Sequence, residues 1–519
     1  MNWDAIIVGS GHNGLAAGVH LSAKGWKVLV LEQAAVAGGA VKTQALTLPG
    51  FRHDVCAMNL SMFAGSPFHA AHKSRLEAAG LALLPVTHPF ASVLDSGDWL
   101  GVDTDLDSTC ARIARRSSAD AQTWRAMAQQ FGADAPHLFG LLGTPAPSWA
   151  MARVLWRAAR ARGLPWCMET ARLLLSSPRN WLGARFEDAG VRALMAAWGM
   201  HLDFGPDVAG GALFPYLESM ANQCFGMALG RGGADTIIRA MVGCIEQAGG
   251  AVRTGSPVAA IRTAGGRAVG VTLVDGTSLD ARRAVIANLH PRLLYGRLLA
   301  PADPLPAPAR LRPGPGTMMI HLALKALPAW RASAELQRFA YVHVAPSLDQ
   351  MARTYREAMA GLLPAEPVLV VGQPTAVDPT RAPLGQHVLW VQVRVLPAEV
   401  KGDAAGALAA GPWDTLKETY ADRAMALLER HAPGLGAQVL GRCVLSPVDL
   451  ERENPNLIGG DSLSGSHHLD QFFLFRPAFG HSRWRTPIER LYMVGAATWP
   501  GAGTGAGSGF MLAKELAGT

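Results

Sequence analysis

The sequence contains little charge and few cysteines. Only 17% of its 519 residues are charged and 49% are apolar, which excludes an intrinsically disordered chain. Its six cysteines lie far apart and form no C-x-x-C pair, so we expect neither a disulfide framework nor a bound metal. Sparse cysteine favours a reducing compartment. No basic segment followed by an apolar one opens the sequence, so we expect no secretory signal and a cytoplasmic protein.

The sequence also lacks a convincing membrane span. Residues 491–513 carry no charge, but this stretch contains six glycines together with Pro500. A helix there would lose about 1 kcal/mol for each glycine and about 3 kcal/mol for the proline. We therefore interpret the stretch as a strand, a glycine-rich loop and the start of a helix, because a span needs an uninterrupted apolar helix.

Glycine, in contrast, is abundant. The 57 glycines follow no Gly-X-Y period, which excludes collagen and indicates tight turns or close approaches to a ligand. The first cluster is Gly-Ser-Gly-His-Asn-Gly at 9–14, between a predicted strand at 5–8 and a predicted helix at 15–24. A second apolar strand, predicted at 28–31, ends at Glu32. This strand–turn–helix–strand unit is typical of a dinucleotide-binding fold.

Each residue type in this unit has a physical role toward a dinucleotide. Gly9 makes the tight turn, Gly11 lets the backbone approach a pyrophosphate, and Gly14 lets the helix and strand pack closely. The helix N-terminus offers free N–H groups to the phosphates, and Glu32 would accept hydrogen bonds from ribose hydroxyls. The predicted contacts are Gly9, Ser10, Gly11, His12, Asn13, Gly14, Glu32 and Gln33. The alternative is a purely structural βαβ turn.

A second glycine pair, Gly38–Gly39, follows Glu32 closely in Ala-Gly-Gly-Ala-Val-Lys-Thr. With this pair the sequence resembles the FAD-dependent oxidoreductases of the phytoene desaturase, carotenoid isomerase and amine oxidase superfamily. The resemblance implies FAD as cofactor, contacted on its diphosphate and flavin by Gly38, Gly39, Ala40 and Val41. That superfamily usually carries an arginine after the glycine pair, whereas this chain has Ala40, with Lys42 nearby.

The C-terminal segment resembles the closing motif of the phytoene desaturase-like flavoproteins. A strand predicted at 490–497 is followed by a glycine-rich loop at 498–509 and a helix predicted at 510–516. The resemblance implies that a helix N-terminus meets the flavin, with contacts from Gly495, Ala496, Gly505 and Ala506. Trp499 stands where many relatives carry histidine, so no histidine role is transferred to it. A glycine-rich tail without a ligand is the alternative.

The middle of the chain completes the expected cofactor site. A helix is predicted at 237–248, and further strands are predicted at 251–254, 257–261, 270–273 and 283–287. The resemblance implies that Val258 holds the adenine through its backbone. Residues 467–477 (His-His-Leu-Asp-Gln-Phe-Phe-Leu-Phe-Arg-Pro) also resemble the phytoene dehydrogenase-related subgroup.

We expect an α/β protein of two interleaved domains. A Rossmann-type FAD-binding domain is predicted from 1–65, 225–290 and 455–519. An α+β substrate-binding domain, a mixed sheet with a helical cap, is predicted from 66–224 and 291–454. Strands at 317–324, 368–372 and 387–396 should line a pocket, and 413–431 should form a helix.

Positive charge is concentrated between residues 149 and 192. The segment holds eight arginines against three acidic residues, with Trp149, Trp156, Trp166 and Trp181 between them. The arginines are Arg153, Arg157, Arg160, Arg162, Arg172, Arg179, Arg185 and Arg192. A basic helix with tryptophans can lie on an anionic membrane, which would make the protein membrane-peripheral. The alternative is an ordinary solvated helix face. Nucleic acid is not expected as a partner, because no reading module accompanies the arginines.

Three functions remain open at this point. The first is an FAD-dependent oxidoreductase that desaturates, isomerises or otherwise oxidises an apolar, polyene-like molecule by hydride transfer to flavin. The second is an amine oxidase acting on a C–N bond, although only six tyrosines are available for an aromatic cage. The third is a non-catalytic protein that binds apolar partners, as the GDP-dissociation inhibitors do.

No catalytic residue is assigned from the sequence, because the flavin carries the electron chemistry. Polar residues in apolar surroundings are His53, Asp54, His201, Asp203 and Arg476, and we interpret each as structural. The electron acceptor and the oligomeric state stay open.

Overall fold

The computed structural model describes residues 3–300 and 311–518. Residues 1–2, 301–310 and 519, which the predicted domains include, lie outside the described residues. The strands are β1 (Trp3–Val8), β2 (Val28–Leu31), β3 (Thr43–Gln44), β4 (His53–Asp54), β5 (Leu83–Val86), β6 (Phe90–Val93), β7 (Trp99–Val102), β8 (Met227–Gly230), β9 (Ala251–Arg253), β10 (Val258–Ala264), β11 (Arg267–Leu273), β12 (Ser278–Ala287), β13 (Gly316–Leu324), β14 (Tyr341–Val344), β15 (Leu362–Leu363), β16 (Val368–Gly372), β17 (His387–Leu396), β18 (Gly402–Asp403), β19 (Val439–Leu445) and β20 (Leu491–Met493).

The α-helices are α1 (His12–Ala23), α2 (Ser61–Ala64), α3 (Pro67–Ala78), α4 (Leu106–Ala114), α5 (Ser118–Leu142), α6 (Trp149–Leu175), α7 (Pro178–Gly183), α8 (Ala189–Ala196), α9 (Leu213–Phe225), α10 (Thr236–Gln247), α11 (Pro291–Leu293), α12 (Leu348–Met359), α13 (Trp413–His431), α14 (Leu435–Gln438), α15 (Pro447–Glu453) and α16 (Gly507–Ala517). Short 3₁₀ or π turns are Gly199–Leu202, Leu294–Leu298, Ala334–Arg338, Pro374–Ala376, Pro379–Arg381, Ile458–Gly460, Leu469–Gln471 and Phe473–Phe475.

The first sheet is parallel at its centre, where the strand order is β9–β2–β1–β12–β20. Every residue of β1 and β2 is buried, because both faces of this sheet are covered. Helices α1, α10 and α16 pack on one face, and the antiparallel meander of β10, β11 and the first part of β12 covers the other. The direction of winding reverses between β1 and β12, so a crevice opens at their carboxyl ends.

The second sheet has the order β19–β13–β17–β16–β14–β6–β7 and is antiparallel except between β14 and β6. Alternate residues of β17 point to opposite faces, as in any strand. Leu389, Val391 and Val393 share a buried cluster with α13. Trp390 belongs instead to the cluster formed with the helical cap, which we define as α5 to α9. The substrate-side sheet therefore lies between a helix and the cap.

The predicted α/β fold is confirmed, and most predicted elements agree with the structure to within a few residues. The helix at 413–431 and the strands at 368–372 and 387–396 have the predicted bounds. The strand predicted at 490–497 is wrong in length, since β20 ends at Met493. The φ of Gly495 is +120°, which turns the backbone out of the strand.

The arginine-rich segment is less uniform than its sequence indicates. Trp149 and Trp156 on α6 are exposed, but Trp181 on α7 is buried under Arg185, whose guanidinium lies 4.2 Å from the ring centre. The helix breaks at Gly163, where φ is +80°. In the described ranges, 3–300 and 311–518, no helix is long and apolar enough to cross a membrane.

A buried ion pair connects the two sheets. Arg381, next to the second sheet, pairs with Asp54 of β4, and neither side chain has solvent exposure. Asp54 also accepts a hydrogen bond from the Ala234 N–H at 2.8 Å, and Arg381 donates to the Gly230 carbonyl at 2.8 Å. The pair thus joins three distant parts of the chain and accounts for Asp54 as a structural residue.

Removing one partner of this pair should destabilise the fold strongly. Arg381→Met leaves the Asp54 carboxylate buried without its cation, which typically costs about 3–5 kcal/mol of unfolding free energy. The Asp54→Asn/Arg381→Met double variant should regain part of that loss. Arg262→Met, which breaks the exposed pair with Asp280 (2.8 Å), should cost less than about 1 kcal/mol. Urea unfolding followed by tryptophan fluorescence measures all three, and equal losses for Arg381→Met and Arg262→Met would contradict the account.

Candidate active site

One cavity of about 1160 Å³ runs from the crevice of the first sheet into the space between the second sheet and the helical cap. Thirteen of the seventeen predicted cofactor contacts line it: Gly9, Gly11, His12, Asn13, Glu32, Gln33, Gly39, Ala40, Val41, Val258, Gly495, Ala496 and Gly505. The other four, Ser10, Gly14, Gly38 and Ala506, lie behind this wall. Three separate segments of the chain therefore meet at one cavity.

The first segment forms a turn that depends on the absence of side chains. Gly9 has a φ of +93°, which favours glycine. The Asn288 amide, directly after β12, donates to the carbonyls of Gly9 and Gly11 at 3.3 and 3.2 Å. A Cβ on Gly11 would lie 2.8 Å from that amide nitrogen, and one on Gly14 would lie 2.7 Å from the Gly9 carbonyl oxygen. Only glycine fits this packing without a shift.

The Gly38–Gly39 pair packs directly on the first turn. A Cβ on Gly39 would lie 3.2 Å from the Gly11 Cα. The Ser10 hydroxyl accepts a hydrogen bond from the Gly38 N–H at 3.2 Å and donates to Glu32 at 2.7 Å. Ser10 and Gly38 thus support the wall of the cavity from behind it.

Glu32 lies at the end of β2 with its carboxylate held in place. It accepts hydrogen bonds from the Ser10 N–H and the Ala34 N–H, both at 2.9 Å. A carboxylate has about four acceptor positions, so Glu32 retains capacity for further donors from the cavity it lines. This arrangement suits the predicted contact with ribose hydroxyls.

The C-terminal segment closes the turn from the other side. A Cβ on Gly495 would lie 2.9 Å from the Asn288 side-chain oxygen. A Cβ on Gly509 would overlap the Asn13 carbonyl oxygen at 1.7 Å, so α16 and α1 touch near their N-termini. Free N–H groups and positive potential from two helices therefore converge on one place, which favours an anion such as a diphosphate.

We call this arrangement the glycine cradle, defined as Gly9, Gly11, Gly14, Gly38, Gly39 and Gly495 around Asn288. Its close backbone contacts, its two helix N-termini and the carboxylate at the end of β2 fit an adenine dinucleotide. Asn288 was missed by the sequence analysis. Its position at the carboxyl end of a strand, beside the point where the winding reverses, is the signal that could have found it.

Arg476 is structural, as the sequence analysis interpreted it. It is fully buried and donates to the carbonyls of Ala496 at 2.7 Å and Ser466 at 2.9 Å. Burial lowers the pKa of Arg476 to about 10, which still leaves it charged at neutral pH. Its guanidinium holds the 463–466 loop against the loop that follows β20.

The histidines of the cavity wall are neutral. Burial lowers the pKa of His12 to about 4 and lowers that of His467 well below its usual value. The His12 ring nitrogen Nε2 donates to the Gly503 carbonyl at 3.0 Å, and His467 Nε2 accepts from the Ala502 N–H at 3.1 Å. Both rings fasten the glycine-rich loop before α16.

The remaining polar candidates separate into two groups. His53 accepts or donates with Thr47 at 2.7 Å, and Asp203 accepts from the Tyr355 hydroxyl at 2.8 Å; neither lines the cavity. His201 does line it, with Nε2 3.1 Å from Nε2 of His343. Burial lowers the pKa of His201 well below its usual value.

The far part of the cavity is mostly apolar, and we call it the apolar half. Its lining side chains include Met58, Leu138, Phe139, Leu142, Leu213, Phe214, Leu217, Ala221, Phe225, Tyr341 and Trp390. Tyr341 and Trp390 both lie opposite Gly372, and their rings stack at 5.7 Å with an interplanar angle of 23°. A Cβ on Gly372 would lie 2.9 Å from the Met58 sulfur, so glycine makes room for this wall.

Comparison with known proteins identifies the family. Residues 14–393 match the flavin-containing amine oxidoreductases, which is more than half of the chain. The chain belongs to this family. It is therefore a flavin-dependent oxidoreductase, and the predicted cofactor, FAD, and the resemblance to the phytoene desaturase group are confirmed.

Curated relatives of this family member match along nearly the whole chain. Pyridine nucleotide-disulfide oxidoreductase domain-containing protein 2 of Mus musculus is 27% identical, over 96% of this chain and 91% of the relative. A limonene dehydrogenase polypeptide of Castellaniella defragrans is 25% identical, over 99% and 94%. All-trans-zeta-carotene desaturase of Myxococcus xanthus is 27% identical, over 96% and 90%.

Solved structures of similar fold cover the chain as completely. An oxidoreductase from Methanosarcina mazei aligns with a TM-score of 0.62 at 18% identity, covering 99% of this chain and 100% of that one. A triple mutant of putrescine oxidase aligns with a TM-score of 0.61 at 16% identity, covering 99% and 98%. At these identities the likeness concerns the fold.

The glycine cradle predicts a specific loss of cofactor in this flavoprotein. Gly11→Ala would push the Asn288 amide away from the two carbonyls it holds. Losing two hydrogen bonds of about 1 kcal/mol each predicts FAD affinity about thirtyfold weaker. Fluorescence titration of the apoprotein with FAD measures this. Gly132→Ala on α5, where an added Cβ meets nothing within 4 Å, is the matched control and should bind FAD normally. Unchanged affinity in Gly11→Ala would refute the cradle.

Proposed function

We propose that this flavoprotein oxidises an apolar, polyene-like substrate, desaturating or isomerising it by hydride transfer to FAD. The observation that carries the proposal is the continuity of the cavity: the glycine cradle and the apolar half are parts of one space. A substrate in the apolar half would lie directly beside a cofactor in the cradle.

The named activities of two relatives support this substrate class. Limonene dehydrogenase and zeta-carotene desaturase are named for isoprenoid hydrocarbons, and both match this chain over at least 96% of its length. A hydrocarbon gains free energy in an apolar cavity by leaving water, at about 25 cal/mol for each Å² of surface buried. The lining of the apolar half therefore suits such a substrate.

The residues of the chain supply binding, orientation and exclusion of water. When bound, FAD supplies the redox chemistry by accepting a hydride from a substrate C–H bond. The cradle would hold its diphosphate, Glu32 its ribose, and the backbone at Val258 its adenine. The stacked Tyr341 and Trp390 rings and the cap helices would position the substrate and keep water from the reacting carbon.

We also propose that the protein acts at the surface of an anionic membrane. The mouth of the cavity is rimmed by apolar side chains that line it and are also exposed: Met62, Phe139, Phe225 and Phe473. On α6, Trp149 and Trp156 are 87% and 63% exposed. Such exposed apolar groups beside basic ones are typical of an interfacial segment.

The charge of α6 supports the same surface. Arg153, Arg157 and Arg160 are exposed and form no ion pair within residues 3–300 and 311–518. In contrast, Arg162 pairs with Asp134 at 2.9 Å, and Arg185 pairs with Glu169 at 3.1 Å. The membrane proposal therefore concerns the first half of α6, not the whole arginine-rich segment.

Anaerobic mixing tests the proposed reaction. Protein loaded with FAD should lose the visible absorbance of oxidised flavin when phytoene or limonene is added in detergent, because the substrate hydride reduces the cofactor. An aliphatic diamine is the comparison substrate and should leave the absorbance unchanged. Reduction by the diamine and by no polyene would contradict the proposal in favour of C–N oxidation, and a protein that binds no flavin would contradict enzyme function.

Vesicle sedimentation tests the membrane proposal. The Arg153→Gln/Arg157→Gln/Arg160→Gln variant should bind vesicles of phosphatidylglycerol and phosphatidylcholine about a hundredfold more weakly, at about 1 kcal/mol for each arginine. The control Arg239→Gln/Arg267→Gln/Arg430→Gln removes the same charge from exposed arginines on other elements and should bind normally. Equal losses in both variants would show that net charge alone acts.

A further inference from the structure

One carboxyl group in the apolar half has no partner. Helix α9 faces the cavity with residues spaced three or four apart, as one helix face requires. The lining residues of this face are Phe214, Leu217, Glu218, Ala221, Asn222 and Phe225. Glu218 is the acidic member, and its side chain makes no hydrogen bond or ion pair within the part of the chain that the structure describes.

An isolated carboxyl in such a place requires an explanation. Burying a polar group without a hydrogen bond is unfavourable, and proteins satisfy nearly all such groups. Its neighbour Asn222 does not help, because the Asn222 amide donates at 2.8 Å to the backbone carbonyl of Glu218. The carboxyl instead faces the space in which we propose that the substrate lies.

We propose that Glu218 binds a hydroxyl group carried by the otherwise apolar substrate. This inference rests on the proposed function and narrows its substrate class to a hydroxylated polyene or related isoprenoid alcohol. A carboxyl can accept the hydroxyl proton and, when protonated, can also donate to the hydroxyl oxygen. One such contact would orient a long molecule whose remaining contacts are non-directional.

The charges around the cavity favour a neutral hydroxyl over an ammonium group. Arg394 of β17 also lines the cavity and forms no ion pair with a carboxylate in the described ranges. It donates to the Ser462 hydroxyl at 3.3 Å and to backbone carbonyls. A cationic substrate would therefore enter a cavity that already holds an unpaired cation.

Glu218 can be followed by its own titration. Burial raises the pKa of Glu218 to about 7. The other titratable groups of this region differ: burial raises the pKa of Cys56 to about 12, lowers that of Arg394 to about 10, raises that of Tyr341 and lowers that of His201 well below its usual value. Within this set, only Glu218 changes charge near neutral pH.

The sign of the pH effect follows from the charge. Above pH 7 the group is a carboxylate, which is costly to cover with hydrocarbon but accepts a stronger hydrogen bond from a hydroxyl. Preference for an alcohol over the matching hydrocarbon should therefore grow as the pH rises through 7. We expect about fivefold preference at pH 6 and about fiftyfold at pH 8.5.

The test measures binding to the FAD-loaded protein without turnover. The probes are geranylgeraniol, the hydrocarbon with the same skeleton and geranylgeranylamine, and the readout is quenching of tryptophan fluorescence, since Trp198 and Trp390 line the cavity. Glu218→Leu should abolish the preference for the alcohol, and Glu218→Gln should retain a preference that no longer depends on pH. Glu246→Gln, an exposed glutamate on α10, is the control and should behave as wild type.

Several results would overturn this assignment. They are equal binding of alcohol and hydrocarbon by the wild type, an unchanged preference in Glu218→Leu, or tighter binding of the amine than of the alcohol at pH 7. Each can occur in a protein that binds FAD and is reduced by polyenes, so failure here is separate from failure of the proposed function. Bound FAD, read from its absorbance, confirms that each variant is folded.

Discussion

The close approach of backbones around Asn288 is the constraint on which the rest of the structure depends. Three parts of the chain, near residues 9–14, 38–39 and 495–509, meet there at distances that a side chain would block. Asn288 reaches two of them, because it follows the central strand β12 beside β1. A dinucleotide site at this point needs every segment in place, so folding of the whole chain precedes binding.

This constraint explains why the cavity has two halves of different character. The cradle is built from backbone groups and helix N-termini, which suit a charged cofactor. The apolar half is built from side chains on a second sheet and a helical cap, whose inserted segments can vary without disturbing the cradle. The buried Asp54–Arg381 pair joins the two parts, so the position of the substrate wall depends on the cofactor domain.

Much of the cradle could be predicted from the sequence because its signals are local. Glycine spacing, the strand before it and the acidic residue after the next strand all lie within about thirty residues, as in other βαβ units. Asn288 could not be found this way, since its role comes from its spatial neighbour β1. The strand predicted at 490–497 was too long because apolar residues continue past the turn at Gly495.

The substrate side was harder to predict for a physical reason. Apolar residues on α9 predict a buried face equally well whether that face meets a core or a cavity. The lack of a partner for Glu218, and the burial of Trp181 beneath Arg185, are properties of tertiary packing. Sequence could indicate an arginine-rich helical segment, but only the structure separates its paired arginines from its unpaired ones.

A crystal structure of the protein with FAD and an isoprenoid ligand tests the central claim most directly. The account predicts diphosphate density against the cradle beside Asn288, ring density of the flavin at the junction of the two halves, and ligand density between Tyr341 and α9. Flavin density elsewhere, or a ligand bound outside the apolar half, would contradict it.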